Sequence, residues 1–190
     1  MPGLLADRRL PELLDKVDWD LAQKAKEAGC HCGDKLYCDN YPRKPRGGPE
    51  HWDKRLSFTC AQKRHRVTPS SVRFFGRKVY VATVVVLMSA MRHGLSAQRV
   101  QALRERLGID RRTLERWRVW WLENFVQSSF WKAARARFMP PVCEKTLPLS
   151  LCEAFALEQG NEIERRDRLL NLLELLSALT TSSHPAGQDF

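Results

Sequence analysis

Apolar residues return along this chain with two different periods, and the change of period divides it. Over residues 11–28, Leu13, Leu14, Val17, Leu21 and Ala25 recur at helical spacing, which predicts a first helix begun by Asp7 or Pro11. Between residues 29 and 78 the pattern becomes short and is broken by Gly and Pro. Residues 35–37 and 55–58 read there as short strands, with 42–49 as a loop between them. Helical periodicity resumes over 79–92, 96–107 and 111–125, with Gly94 and Gly108 placed as C-terminal stops. Pro140 and Pro141 break the chain, and 149–157 and 163–179 predict two more helices. The last is rich in leucine at Leu169, Leu170, Leu172, Leu173, Leu175, Leu176 and Leu179, a stripe that suits either a core helix or a dimer seam. The longest apolar run, 79–91, is shorter than the roughly 20 residues a bilayer needs, so it predicts a buried helix and no membrane partner.

Within 111–125, steps of about 100° per residue put Leu114, Trp117, Trp121 and Phe125 on one stripe, with Trp120 at its flank. Arg112, Glu115, Arg116 and Val119 face the other way, and Arg111 and Arg118 lie at the edges. Asp110 is placed to cap this helix, and Thr113 falls in its first turn. The preceding helix reads similarly, with Ser96 as cap, Val100, Leu103 and Leu107 inward, and Arg99, Arg104 and Arg106 outward. Two short amphipathic helices joined at Leu107-Gly108-Ile109-Asp110 form a helix-turn-helix pattern. Its second helix would present Arg112 and Arg116 to guanine edges, while Arg111, Thr113, Glu115, Arg118 and Arg99 complete the expected DNA contacts.

Charge sharpens this picture. The 190 residues carry a formal charge of +10 and a pI near 9.6, which suits a polyanionic partner. The excess is local: 42–78 holds eleven Lys or Arg against two acids, whereas the last 45 residues are net acidic. The start of the chain lacks the basic, apolar and small-residue pattern of a secretory signal, so a cytoplasmic, nucleoid-associated location is expected. In such a compartment six cysteines argue for metal binding or burial rather than disulfides.

Cys30-His31-Cys32-Gly33 precedes the first expected strand, and Cys60 and His65 follow the second. Two close ligand pairs at the ends of a hairpin are what a tetrahedral zinc ion requires, and they would staple a segment too small to hold its own core. Cys30, Cys32, Cys60 and His65 are the expected ligands of a structural Zn2+; His31, Cys38 and His51 remain open as substitutes. Gly33 would relieve crowding in the turn. A closed four-ligand site leaves no position for activating water. Arg43, Lys44, Arg46, Lys54, Arg55, Lys63, Arg64 and Arg66 surround these ligands, interleaved with Tyr41, Trp52 and Phe58, and predict phosphate contact. Cys143 and Cys152 are expected to be buried small side chains.

The expected fold is mainly α with a small β zinc-ribbon-like hairpin, a helix-turn-helix three-helix core and C-terminal helices. Its expected parts are an N-terminal helix (1–28), a basic zinc-ribbon-like module (29–78), a helix-turn-helix domain (79–139), a C-terminal helical segment (140–180) and a disordered tail (181–190).

The stretch 107–117 resembles the helix-turn-helix of bacterial insertion-sequence transposases, in which a Gly-containing turn leads into an Arg-Thr-aliphatic-x-Arg-Trp helix. With the cysteine pairs upstream, the order zinc ribbon then helix-turn-helix is similar to the DNA-binding region of those transposases and to their short accessory or repressor proteins. The resemblance covers roughly residues 28–125 and implies recognition of element ends or a promoter; the expected partners are double-stranded DNA, a transposase or other protein, and, through the leucine-rich stripe, a second copy of the chain. The ligand spacing departs from it, with one residue between Cys30 and Cys32 and four between Cys60 and His65. The residues after 125 show no alternating strands with paired carboxylates, and there is no Gly-x-x-x-x-Gly-Lys loop, so no enzymatic activity is expected. The competing expectation is an RNA-binding or assembly protein that grips RNA with the basic module and docks a protein partner on its C-terminal helices.

Overall fold

The computed structural model describes residues 2–5, 7–75, 78–90, 101, 105 and 107–180. Its elements are helices α1 (Pro2–Leu5) and α2 (Leu10–Ala28), strands β1 (Leu36–Cys38), β2 (Tyr41–Pro42), β3 (Lys54–Arg55), β4 (Phe58–Cys60) and β5 (Arg66–Val67), then helix α3 (Ala82–Ala90). Helix α4 (Arg111–Val119) runs on as a π-helical turn, Trp120–Phe125, and is followed by α5 (Ser129–Ala134), α6 (Leu149–Ala154) and α7 (Glu162–Ser177). The protein is thus mainly helical with a small antiparallel component. Among the described residues it forms two compact units, one from the chain up to Asp7 with 83–172 and one from 8–82 with the chain after 172.

In the second of these units, helix α2 turns a stripe of Leu10, Leu14, Asp18 and Ala22 inward. The apolar residues expected there, Leu13, Val17, Leu21 and Ala25, are only half-buried on its flank. The stripe is rotated because Asp18, 1% exposed, is drawn into the core by hydrogen bonds. It accepts from Ser71 Oγ at 2.6 Å, the Val72 amide at 2.7 Å and Arg73 Nε at 2.6 Å, with Arg55 Nη1 at 3.9 Å. Arg55 is itself 1% exposed and donates to the Pro69 carbonyl. Burial pushes its guanidinium down to about 10, with the Asp18 charge pulling the other way. Asp15, one turn earlier, accepts from Arg73, His51 and Trp52.

The sheet differs from the expected hairpin. Strand β4 is the central one, between β1 and β5, and it begins at Phe58, three residues later than predicted. Residues 54–55 pair instead with Tyr41–Pro42, so a strand occupies the start of the expected loop. The two ladders part at Ser57, whose amide donates to Asn40 Oδ1 at 3.0 Å and whose hydroxyl donates to the Asp39 carbonyl. Side-chain hydrogen bonds satisfy the backbone at that corner and let the chain change sheets. The register that results pairs Leu36 with Cys60, Tyr37 with Thr59 and Thr59 with Arg66.

In the other unit α3 is buried along its whole described length, as the apolar run predicts. Of the helix expected over 96–107, Gln101, Glu105 and Leu107 are described and helical; Gly94, Ser96, Arg99, Val100, Leu103, Arg104 and Arg106 lie outside the described residues, as does 181–190. Gly108 has φ +61°, the left-handed value a helix stop uses. Asp110 caps α4 by accepting from the Thr113 amide at 2.6 Å. Leu114, Trp117, Trp121 and Phe125 are buried as expected, and Trp120 joins them at 6% exposure in the wider π-helical turn. Trp121 and Phe125 rings stand 4.8 Å apart, and Phe125 meets Trp131 at 5.0 Å. Helix α5, which periodicity did not predict, starts where Ser128 Oγ accepts from the Trp131 amide. Asn161 and Glu164 cap the start of α7 reciprocally, and Leu169 and Leu172 of the leucine-rich stretch are buried, as are Leu173, Leu176 and Leu179, which belong to the unit formed with 8–82.

Asp18→Ala leaves two buried guanidinium groups without their shared carboxylate and is expected to cost about 3–5 kcal/mol, read by urea denaturation. A loss below about 1 kcal/mol would mean the network is not what holds α2 to residues 71–73.

Candidate functional site

The chemistry of the second unit converges at the end of its sheet. Helix α2 stops at Gly29, φ +72°, and the chain turns through Cys30 to Gly33 with the Gly33 amide donating to the Cys30 carbonyl at 2.8 Å. A Cβ on Gly33 would meet no atom within 4 Å, so this glycine is needed for its φ of +81° and not to relieve crowding. Strand β1 then carries the chain away, and the Leu36–Cys60 pairing returns β4 to the same end. There the chain makes a second tight turn. The Cys60 amide donates to the His65 carbonyl and the Arg64 amide to the Cys60 carbonyl, both at 3.0 Å, with Arg64 at φ +55°.

These turns bring the predicted ligands together. Cys32 Sγ lies 3.1 Å from Cys30 Sγ and 3.5 Å from Cys60 Sγ, and His65 Nε2 lies 3.4 Å from Cys30 Sγ. The three sulfurs form a group that could hold a metal ion. Two sulfurs bound at about 2.3 Å to one tetrahedral ion stand about 3.8 Å apart, so an ion would spread these two pairs by about 0.3 to 0.7 Å. The inner side of the cluster is apolar, since Cys30 and Cys60 pack with Ala22, Leu36 and Phe58. Amides aim at two of the sulfurs: Cys32 N–H at Cys30 Sγ, 3.5 Å, and Lys63 N–H at Cys60 Sγ, 3.3 Å. The Lys63 amide holds the Cys60 thiol below its ordinary value. The Cys32 amide acts on Cys30 in the same sense, but the Cys32 thiol, burial and Cys60 outweigh it and push Cys30 up to about 11. Neighbouring sulfurs thus resist sharing negative charge without a cation between them.

Two of the alternative ligands, His51 and Cys38, are placed elsewhere. His51 is held by Asp15 Oδ2 at 2.9 Å, Cys38 is exposed at the far end of β1, and His31 is exposed. Cys152 is buried, and burial pushes its thiol up to about 12, whereas Cys143 is exposed, contrary to expectation. Cys143 immediately precedes the turn Glu144–Thr146, and a hydrogen bond with Thr146 holds its thiol below the ordinary value.

The basic residues of this unit divide into two groups. Arg43 lies over the Phe74 ring at 4.7 Å, and Arg46 over Tyr80 at 5.8 Å while remaining exposed. Arg66 lies over Tyr41 at 5.1 Å and pairs with Asp39 Oδ2 at 2.9 Å, and Arg55 is in the core. Lys44, Lys54, Lys63 and Arg64 are exposed. Trp52 and Phe58, expected among surface contacts, are buried because they supply the rings on which the module packs.

In the other unit, Arg112, Glu115, Arg116 and Arg118 are exposed along α4. Arg111 Nε donates to Glu115 Oε1 at 2.8 Å, an exposed i,i+4 pair. Thr113 is 6% exposed, and its hydroxyl accepts from Arg116 Nη2 at 3.0 Å. Arg99 lies outside the described residues. No helix among the described residues is long and apolar enough to cross a membrane. No protein-family model matches this chain, and no curated protein or solved structure shows detectable similarity to it.

Maleimide labelling of the native protein is expected to modify Cys38 and Cys143 first, with Cys30, Cys32 and Cys60 reacting only after a strong chelator is added. Equal rates at all five thiols, with or without chelator, would contradict a metal-holding cluster.

Proposed function

We propose that this chain is a zinc-containing, sequence-specific DNA-binding protein of a mobile genetic element, acting as a transposition accessory factor or a transcription regulator. Zn2+ is held by Cys30, Cys32, Cys60 and His65, and its task is structural: with four protein donors it orders the turns that display the basic residues. The convergence of three sulfurs and one imidazole, from positions up to 35 residues apart, is the observation that carries this part.

DNA is read by α4 as the second helix of a helix-turn-helix. Supporting this are the left-handed turn at Gly108, the Asp110 cap and the exposure of Arg112 and Arg116 opposite a tryptophan-lined inward stripe. Arg112 and Arg116 reach base edges. Thr113 does not touch DNA; its buried hydroxyl orients the Arg116 guanidinium for a forked contact with guanine. Arg111 and Glu115, paired with each other, flank the reading face, and Arg118 meets phosphate. The resemblance of residues 107–117 to transposase helices supports the assignment to mobile elements.

In a gel-shift series with DNA flanking the gene, Arg112→Ala and Arg116→Ala are expected each to reduce discrimination over random duplex by about 1–3 kcal/mol, roughly five- to hundredfold. Unchanged preference in both variants would remove α4 as the reading helix.

A further inference from the structure

The three-stranded sheet has an outer face, and what stands on it is unusual for so small a module. Strand alternation turns Leu36, Phe58, Cys60 and Val67 toward the core and leaves Tyr37, Thr59 and Arg66 in one cross-strand row on the other side. Tyr37 is 61% exposed, whereas Trp52 and Phe58 are buried and Tyr41 lies under Arg66. It offers an open ring at the middle of a rigid strand. Beside it the Cys60 turn exposes Lys63 and Arg64, and the Ala61 amide donates to the Lys35 carbonyl at 3.0 Å, which fixes exposed Lys35 next to that turn. Of the acids nearby, Asp39 is paired with Arg66 and accepts from Thr59 Oγ1, while Asp34 Oδ1 accepts from the Lys35 amide and keeps its charge.

We propose that this face is a second nucleic-acid site, which takes an unpaired nucleotide of single-stranded DNA or RNA. The base stacks on Tyr37, and the flanking phosphates are held by Lys35, Lys63 and Arg64. Stacking decides for a single strand, because a base in a duplex has no free face to offer while an unpaired one does. Lys35, two residues before Tyr37 and immediately ahead of β1, and Lys63 and Arg64, exposed on the turn that follows the Thr59–Cys60 end of β4, supply the complementary charge for the phosphates. Arg66, locked onto Asp39 and Tyr41, forms part of the rigid floor and is not a ligand. This site does not depend on α4 reading duplex DNA.

The test uses the full-length protein as purified and fluorescence anisotropy with labelled dT12, rU12 and a blunt duplex, each at two salt concentrations. Tyr37→Ala is expected to weaken binding to dT12 or rU12 by at least about fivefold, with Tyr37→Phe retaining it and duplex affinity unchanged. The oligomer bound more tightly identifies the source of the strand. Removing two phosphate contacts with K63A/R64A should flatten the dependence of log affinity on log salt by about 1.4. Because Tyr37 is exposed, circular dichroism of the variant should match the parent, which separates lost stacking from lost folding. No single-strand binding by the parent, no loss with Tyr37→Ala, or an equal loss on duplex would overturn the proposal. Loss of duplex preference in Arg112→Ala with single-strand binding intact would leave it standing, so the two sites fail separately.

Discussion

Three cysteine sulfurs held within 3.5 Å of a neighbour are the constraint on which the basic module depends. Its strands are two or three residues long, and nothing so short holds itself together by backbone pairing alone. Two tight turns therefore do the joining, one after α2 and one after β4, and each begins on a cysteine, Cys30 and Cys60. The Cys32 thiol, burial and Cys60 push Cys30 up to about 11 while Cys60 is held below its ordinary value, so the group takes one negative charge more readily than a second. A soft divalent cation held between the sulfurs would reverse the sign of that interaction and make the crowding a source of stability.

A second, separate device holds α2 against the module. Asp18 gathers a serine, a backbone amide and two guanidinium groups from residues 55–73. The aromatic rings of Phe74 and Trp52 then take arginine faces, Arg43 and Arg55 over the first and Arg73 over both. Much of the positive charge in this part of the sequence is thus structural. Among the described residues of 35–66, the exposed cations outside these contacts and the Arg66–Asp39 pair are Lys35, Lys44, Lys54, Lys63 and Arg64 with the outer end of Arg46, and three of these lie at or beside the Cys60 turn. A +10 chain does not present ten free charges to a ligand.

Helix periodicity, the Asp110 cap and the spacing of Cys30, Cys32, Cys60 and His65 were legible in the sequence because each is a local pattern with a local cause. Long-range partners were not. Asp18 interrupts an apolar i,i+4 row after Leu14, a signal that could have marked it as a buried anion, but its partners at 55, 71 and 73 have no local signature. The strand shift from 55–58 to 58–60 escaped because Ser57 and Asn40 replace ladder bonds with side-chain bonds, which alternation does not register. Thr113 reads as a first-turn contact residue; that it is buried with its hydroxyl accepting from Arg116 has no signature in the sequence. Tyr37 carried no motif; only the register of β1 on β4 reveals that its ring is left outside.

The most direct test of the central claim is native mass spectrometry of the full chain purified without chelator, beside the same protein sprayed under denaturing conditions. One zinc ion per chain is expected in the native spectrum, absent on denaturation and strongly depleted in Cys60→Ser. A metal-free native spectrum from protein that is folded by circular dichroism would contradict it.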